Sequence, residues 1–175
     1  MKQQLIEKVR EFRNAFGLKQ DDVFLHHELL QEEEREFIEA EENHDIKEMA
    51  DALADCIFVA AGGLIDGFSE FNVPINNCIN LAAEKGVDLP RAVDAVFTSN
   101  MSKLCSKQEI KPTADKYAFI GVDVHFEPVD ELDESAGFRC ICTHTVTGDD
   151  GKEYPAGKLL KSVGYKEPCW DYLSE

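Results

Sequence analysis

The sequence lacks a hydrophobic run long enough to cross a membrane, because charges interrupt its apolar stretches and a spanning helix needs roughly 18 apolar residues. Basic residues are also scarce: 18 Lys and Arg stand against 35 Asp and Glu, which gives a net charge of −17. Nucleic-acid binders neutralise phosphates with basic surfaces, which this composition does not supply. We therefore expect a cytoplasmic protein with neither a membrane nor a nucleic-acid partner.

The six cysteines are spread along the chain, and we expect no secretory signal before them. We expect reduced thiols instead of a disulfide framework. Cys140 and Cys142 fall on the same side of a strand, but no second cysteine pair or suitably spaced Cys/His pair completes a zinc site. The pattern therefore does not favour zinc.

A length of 175 residues with 43% hydrophobic content is typical of one folded domain with a core. Over the first hundred residues the apolar side chains recur at helical spacing, and Gly, Pro and Asp mark the ends of the repeats. This pattern predicts five helices, over about 2–16, 23–42, 46–65, 74–86 and 90–104, with Asp45 as the N-cap of the third.

The periodicity changes beyond Cys105. Residues 117–126 and 138–146 are rich in aromatic and β-branched residues, and the turn sequence GDDG follows the second run. The two runs predict a small β-hairpin. The predicted fold is therefore mainly α: a single domain over 1–175, with a helical bundle as its body (1–105) and a C-terminal part that contains a β-hairpin insertion and a basic segment (106–175).

The helices predicted over 23–42 and 46–65 are dense in acidic residues, and four of these have a specific spacing. Glu33 and Glu36 are three residues apart on one helix, and Glu48 and Asp51 are three apart on the next. Antiparallel packing of the two helices would bring all four carboxylates together. A divalent cation would relieve their repulsion, and oxygen ligands suit Mg²⁺ or Mn²⁺. A solvated acidic face explains the same spacing without a metal.

The acidic residues also resemble known motifs. Glu32, Glu33 and Glu36, followed by Glu48 and Asp51, are similar to the EExxE and ExxD motifs of the all-α nucleoside triphosphate pyrophosphohydrolases. This superfamily includes MazG-like and phosphoribosyl-ATP pyrophosphohydrolase-like proteins. The resemblance implies an all-α fold and hydrolysis of a nucleoside triphosphate between its α and β phosphates.

Two later segments extend the resemblance. The sequence SNMSK at 99–103 is similar to the SNxSK segment of the superfamily, and residues 150–168 resemble its basic C-terminal segment. The chain departs from the family pattern between them, since residues 106–149 stand where a short connection is expected. We interpret this insertion as a contribution to substrate selection or assembly.

The resemblance implies a role for each matched residue. The implied metal ligands, for Mg²⁺ or a substituting Mn²⁺, are Glu33, Glu36, Glu48, Asp51 and Asp55. The implied proton acceptors are Glu32 and Glu36, and the implied substrate contacts are Asn100, Lys103, Lys158, Lys161 and Tyr165. The resemblance also implies assembly as a homodimer or homotetramer.

Three functions stay open at this point. The first is a Mg²⁺-dependent nucleoside triphosphate pyrophosphohydrolase that serves nucleotide-pool control. The second keeps the fold and assigns phosphoribosyl-ATP as the substrate. The third is an acidic helical binding protein without catalysis, which explains the charge but not the recurrence of paired carboxylates beside apolar residues.

Overall fold

The computed structural model of the protein describes residues 1–174. Contacts between residues divide the chain into two compact units. We call residues 1–98 together with 168–174 the helical unit, and residues 99–167 the sheet unit. The single domain over 1–175 stays a prediction.

Five helices account for the first hundred residues. They are α1 (Lys2–Phe16), α2 (Val23–Glu42), α3 (Ile46–Ile65), α4 (Asn72–Lys85) and α5 (Leu89–Met101). The first three have the predicted bounds, and the mainly helical fold is confirmed. No helix among residues 1–174 has both the length and the apolar composition that a membrane crossing requires.

Helix α3 lies at the centre of the helical unit. Eleven of its twenty residues are buried, and it packs against α1, α2 and α4. Several of the buried positions are alanines, which let neighbouring helices approach closely, while Leu53 and Ile57 fill the space between them. Burying a side chain of that size contributes about 1.5–3 kcal/mol. The core of the unit therefore depends on α3.

Aspartates fix the starts of α2 and α3. The Asp22 carboxylate accepts a hydrogen bond from the backbone N–H of Phe24 at 2.9 Å, and the Asp45 carboxylate accepts from Lys47 and Glu48 at 3.1 Å each. These side chains satisfy backbone donors that have no partner within the helix. The predicted N-cap at Asp45 is confirmed.

A buried charged group joins three helices. The Asp66 carboxylate, just after α3, accepts a hydrogen bond from the Arg13 guanidinium of α1 and pairs with His26 Nε2 of α2 at 3.0 Å. The side chains of Asp66, Arg13 and His26 are only 10%, 11% and 4% exposed. The Asp66 carboxylate thus compensates the buried charge of Arg13.

The sheet unit contains one further helix and two small sheets. Helix α6 spans Ile110–Ala118, and the strands are β1 (Val124–Pro128), β2 (Phe138–Cys142), β3 (Val146–Thr147), β4 (Glu153–Tyr154) and β5 (Leu159–Leu160). Strand β2 lies between β1 and β5 and is antiparallel to both, and β3 pairs with β4. Buried residues of α6, β2 and β5, including Tyr117, Cys140 and Leu160, form a separate core.

Three details differ from the sequence prediction. The first is the strand predicted over 117–126, which begins only at Val124 because Tyr117 belongs to α6, where its ring is buried. The second is the end of α5, which is Met101 and not Leu104, since the Ser102 hydroxyl bonds to the Ser99 carbonyl at 2.6 Å and the chain turns. The third is the expected hairpin, which is one edge of a three-stranded sheet.

The buried group around Asp66 generates a stability prediction. Asp66→Asn leaves the Arg13 charge buried without its counter-charge, so we expect the free energy of unfolding to fall by about 3 kcal/mol or more. Asp94→Asn is the matched control, because it removes an ion pair with Lys8 whose carboxylate is 59% exposed. That change should cost less than about 1 kcal/mol. Urea unfolding of both variants measures the difference, and equal losses would contradict the buried-charge interpretation.

Candidate active site

The connection between α2 and α3 sets the position of the acidic residues. Only residues 43–45 separate the two packed helices, so they run antiparallel. His44 adopts φ 55° in this connection, a left-handed conformation that suits a tight turn. The C-terminal half of α2 therefore lies beside the N-terminal half of α3.

Glu33 is the acidic residue most affected by this packing. It is half-buried, and burial is the largest of the effects that raise its pKa from 4.5 to about 8. Neighbouring negative charges raise the pKa further, in decreasing order those of Asp55, Glu36, Glu32 and Asp51. Both effects disfavour the charged form. Without a cation, burial and the neighbouring charges therefore favour the protonated form of Glu33.

Glu36 is near both Glu33 and Glu48, which is the remaining predicted metal ligand. Glu36 and Glu48 line one open cleft of about 520 Å³ at the α2–α3 connection, together with Asp45. Glu36 also lies within electrostatic range of Glu33. The structure thus brings Glu32, Glu36, Asp51 and Asp55 near the half-buried Glu33 carboxyl group, and it places Glu48 in the same cleft as Glu36.

The donor set suits a hard divalent cation. All of these side chains are carboxylates, and a cation among them would stabilise the charged form of Glu33 that burial and neighbouring charges now disfavour. Among residues 1–174, however, no three His, Cys, Asp or Glu side chains are already arranged to hold a metal ion. The assignment of Glu33, Glu36, Glu48, Asp51 and Asp55 as ligands therefore stays a prediction.

Four of the five predicted substrate contacts meet within the sheet unit. Lys103 Nζ donates to the Asn100 side-chain oxygen at 2.5 Å, and Lys161 Nζ lies 3.9 Å from the centre of the Tyr165 ring. Glu167 joins the two pairs, because it accepts from the Tyr165 hydroxyl at 2.9 Å and interacts with both lysines. These charges and hydrogen bonds lower the pKa of Glu167, with the Tyr165 hydrogen bond as the largest cause.

Lys158, the fifth predicted contact, belongs to a different part of the unit. Its ammonium group is exposed and lies 5.8 Å from the centre of the Tyr154 ring. The sequence analysis missed Glu167, although its position two residues after Tyr165 signals an acidic partner for the nearby lysines. Roles for Asn100, Lys103, Lys158, Lys161 and Tyr165 in substrate binding stay predictions.

Comparison with known proteins identifies the helical part of the chain. The sequence model of the phosphoribosyl-ATP pyrophosphohydrolase family matches residues 1–100, which include α1 to α4 and both acidic motifs. No curated protein and no solved structure gives a significant match. The match covers more than half of the chain. The protein therefore belongs to the phosphoribosyl-ATP pyrophosphohydrolase family, within the all-α nucleoside triphosphate pyrophosphohydrolase superfamily.

Proposed function

We propose that the protein hydrolyses a nucleoside triphosphate between its α and β phosphates, with release of pyrophosphate, and that it requires Mg²⁺ or Mn²⁺. The observation that carries the proposal is the group of carboxylates around Glu33, in a chain whose family consists of pyrophosphohydrolases. Like charges gathered around a half-buried carboxylate are costly unless a cation or a proton compensates them. A divalent cation would compensate these charges and would also bind the phosphates of the substrate.

In the proposed reaction, the environment of each residue determines its role. Glu33, Glu36, Glu48, Asp51 and Asp55 would hold the cation. When bound, Mg²⁺ supplies charge neutralisation at the phosphates and lowers the pKa of water. Glu32 or Glu36, both exposed on α2, accepts the proton of the water that attacks the α phosphorus. The bond between that phosphorus and the bridging oxygen breaks, and pyrophosphate leaves.

The lysines of the sheet unit carry the second part of the proposal. Lys103 and Lys161, with Asn100 and Tyr165, contact the triphosphate in the family-based assignment, and Lys158 is assigned with them. Positive side chains stabilise the negative charge that develops on a departing pyrophosphate. Hydrogen bonds to Glu167 orient the side chains of Lys161 and Tyr165 before a substrate binds.

Phosphoribosyl-ATP is the second candidate substrate. The observation that favours it is the family match over residues 1–100. This compound carries the same triphosphate group, so the carboxylates and the attacking water would serve the same reaction. The two candidates differ only in the part of the substrate beyond the triphosphate.

Assembly of two or four copies is also part of the proposal. Phe24 and Ile38 are 75% and 54% exposed, and their positions fourteen residues apart place them on one side of α2. Exposed apolar side chains aligned on one helix face are typical of a surface that another chain covers. A second copy would bury them.

A substrate screen tests the proposed reaction. Purified protein is incubated with Mg²⁺ or Mn²⁺ and each of the common ribo- and deoxynucleoside triphosphates, and separately with phosphoribosyl-ATP, and pyrophosphate is measured. We expect release from at least one substrate and loss of release in chelator. Turnover that persists in chelator would overturn the metal requirement. Absence of pyrophosphate release from every substrate would favour an acidic binding protein without catalysis.

Asp51→Asn tests the cation site directly. The change keeps the size of the side chain and removes one charge from the group, so we expect pyrophosphate release to fall about a hundredfold or more. Affinity for Mn²⁺, measured by calorimetry, should fall with it. Glu42→Gln, an exposed change at the end of the same α2 helix that carries Glu33, serves as the control. If the Asp51→Asn variant binds Mn²⁺ and turns over substrate like the parent, the acidic residues of α2 and α3 form a solvated surface and no cation site.

Glu33→Gln tests the raised pKa. In metal-free protein the folded chain keeps the Glu33 proton after the unfolded chain has lost it, so stability falls as the pH rises from about 4.5 to about 8. Glutamine removes this loss. We expect the variant in chelator to melt above the parent at pH 8, and the difference to narrow toward pH 5. Thermal unfolding monitored by circular dichroism measures it.

Glu42→Gln again provides the comparison, because Glu42 is exposed and lies nine residues after Glu33 on the same helix. Its melting temperature should differ from the parent by the same amount at pH 5 and pH 8. A Glu33→Gln variant that tracks the parent across this range would show that the Glu33 carboxyl titrates like an exposed acid.

A further inference from the structure

A second cleft lies within the sheet unit, between residues 116–120, which no family motif covers, and residues 150–161, which belong to the basic C-terminal segment. It has a volume of about 460 Å³ and is bounded by the end of α6, the β3–β4 turn and the residue after β5. Small-molecule sites in proteins have volumes of about 300–1,000 Å³. The cleft is therefore large enough for a nucleotide.

The charge of this cleft is opposite to that of the chain. Three lysines line it, Lys116, Lys152 and Lys161, against one carboxylate, Asp150. Both oxygens of Asp150 already accept hydrogen bonds, one from the Tyr154 hydroxyl at 2.8 Å and one from the Lys152 backbone at 3.2 Å. Lys161 also pairs with Glu167, which lies outside the lining. The positive charges outnumber the negative ones at this place in a chain of net charge −17.

Aromatic rings complete the lining. Phe119 is 86% exposed at the end of α6, and the Tyr154 ring is half-buried with its edge toward Tyr117 at 6.2 Å between ring centres. A phenylalanine exposed to this degree leaves a flat apolar face in water beside the lysines. Such a face is a stacking platform for a planar base.

Hydrogen bonds hold the walls in place before a ligand arrives. The Tyr117 hydroxyl donates to the Lys161 carbonyl at 3.0 Å, which fixes the end of β5 to α6. The Asp149 backbone N–H donates to the Ile120 carbonyl at 2.9 Å, which fixes the β3–β4 turn to the segment after α6. A preformed cleft loses less conformational freedom on binding.

We propose that this cleft of the sheet unit binds a nucleoside triphosphate, with Lys116, Lys152 and Lys161 on the phosphates and the base stacked on Phe119. The choice of a nucleotide rests on the proposed function. A polyanion matches the lysines, and a planar apolar group matches the exposed ring. Nucleic acid does not fit, since three lysines beside an acidic chain supply too little positive surface for a phosphate backbone.

Binding in chelator isolates this cleft from the carboxylates of the helical unit. Without a divalent cation those carboxylates repel a triphosphate, so any affinity must come from basic residues. The experiment titrates the full-length protein in chelator and low salt with three probes, namely ATP, inorganic triphosphate and adenosine, and uses calorimetry and NMR. We expect ATP to bind most tightly, inorganic triphosphate more weakly and adenosine least.

Matched variants assign the contacts. Lys116→Gln and Lys152→Gln should each weaken both ATP and inorganic triphosphate by about twofold to fivefold, as loss of one exposed charge predicts. Phe119→Ala should weaken ATP by about fivefold or more and leave inorganic triphosphate unchanged, because stacking involves the base alone. Lys111→Gln is the control: this lysine lies on α6 too, but it pairs with Asp115 and does not line the cleft.

The outcomes separate this inference from the proposed function. Absence of ATP binding by the parent in chelator would overturn the proposal that the cleft binds a nucleotide. Equal effects of Lys116→Gln and Lys111→Gln would overturn it too. Binding with the expected pattern in a protein that hydrolyses no substrate would support the cleft and reject the catalytic proposal. Melting temperatures of all variants confirm that each is folded when it is titrated.

Discussion

The close packing of α2 against α3 is the constraint on which the rest of the helical unit depends. It buries the apolar residues of α3, and the same contact forces acidic side chains of both helices into one region. The apolar contribution must outweigh the electrostatic cost, and large buried residues such as Leu53 and Ile57 supply it. Stability of the fold and strain among the carboxylates thus have a common origin.

The two units divide the charge of the chain unequally. Residues 99–167 contain nine Lys and Arg against twelve Asp and Glu, whereas the remaining residues contain nine against twenty-three. The two units therefore differ in their electrostatic character. The carboxylates around Glu33 repel an anion, whereas the lysines of residues 99–167 are less outnumbered by acidic residues.

The sequence was sufficient to predict the helices of the helical unit, but it predicted the structure of the sheet unit much less well. The cap at Asp45 and the glycine after Phe16 are local signals, and α1, α2 and α3 were predicted with their observed bounds. Tyr117 misled the strand prediction because aromatic residues fit an amphipathic helix as well as a strand. Convergence of the carboxylates followed from spacing, but the half-burial of Glu33 depends on packing. The group around Asp66 could not be predicted, because its members lie far apart in the sequence.

Gly63 shows how far this packing limits change in α3. A methyl group at that position would stand 2.6 Å from an atom of the Phe71 ring, which is fully buried, so the ring or the helix would have to shift. Glycine inside a helix costs about 1 kcal/mol relative to alanine, so replacement by alanine is a standard route to heat resistance. At Gly63 that route is closed, because the added methyl group would collide with the Phe71 ring, so the glycine exchanges helix propensity for close packing.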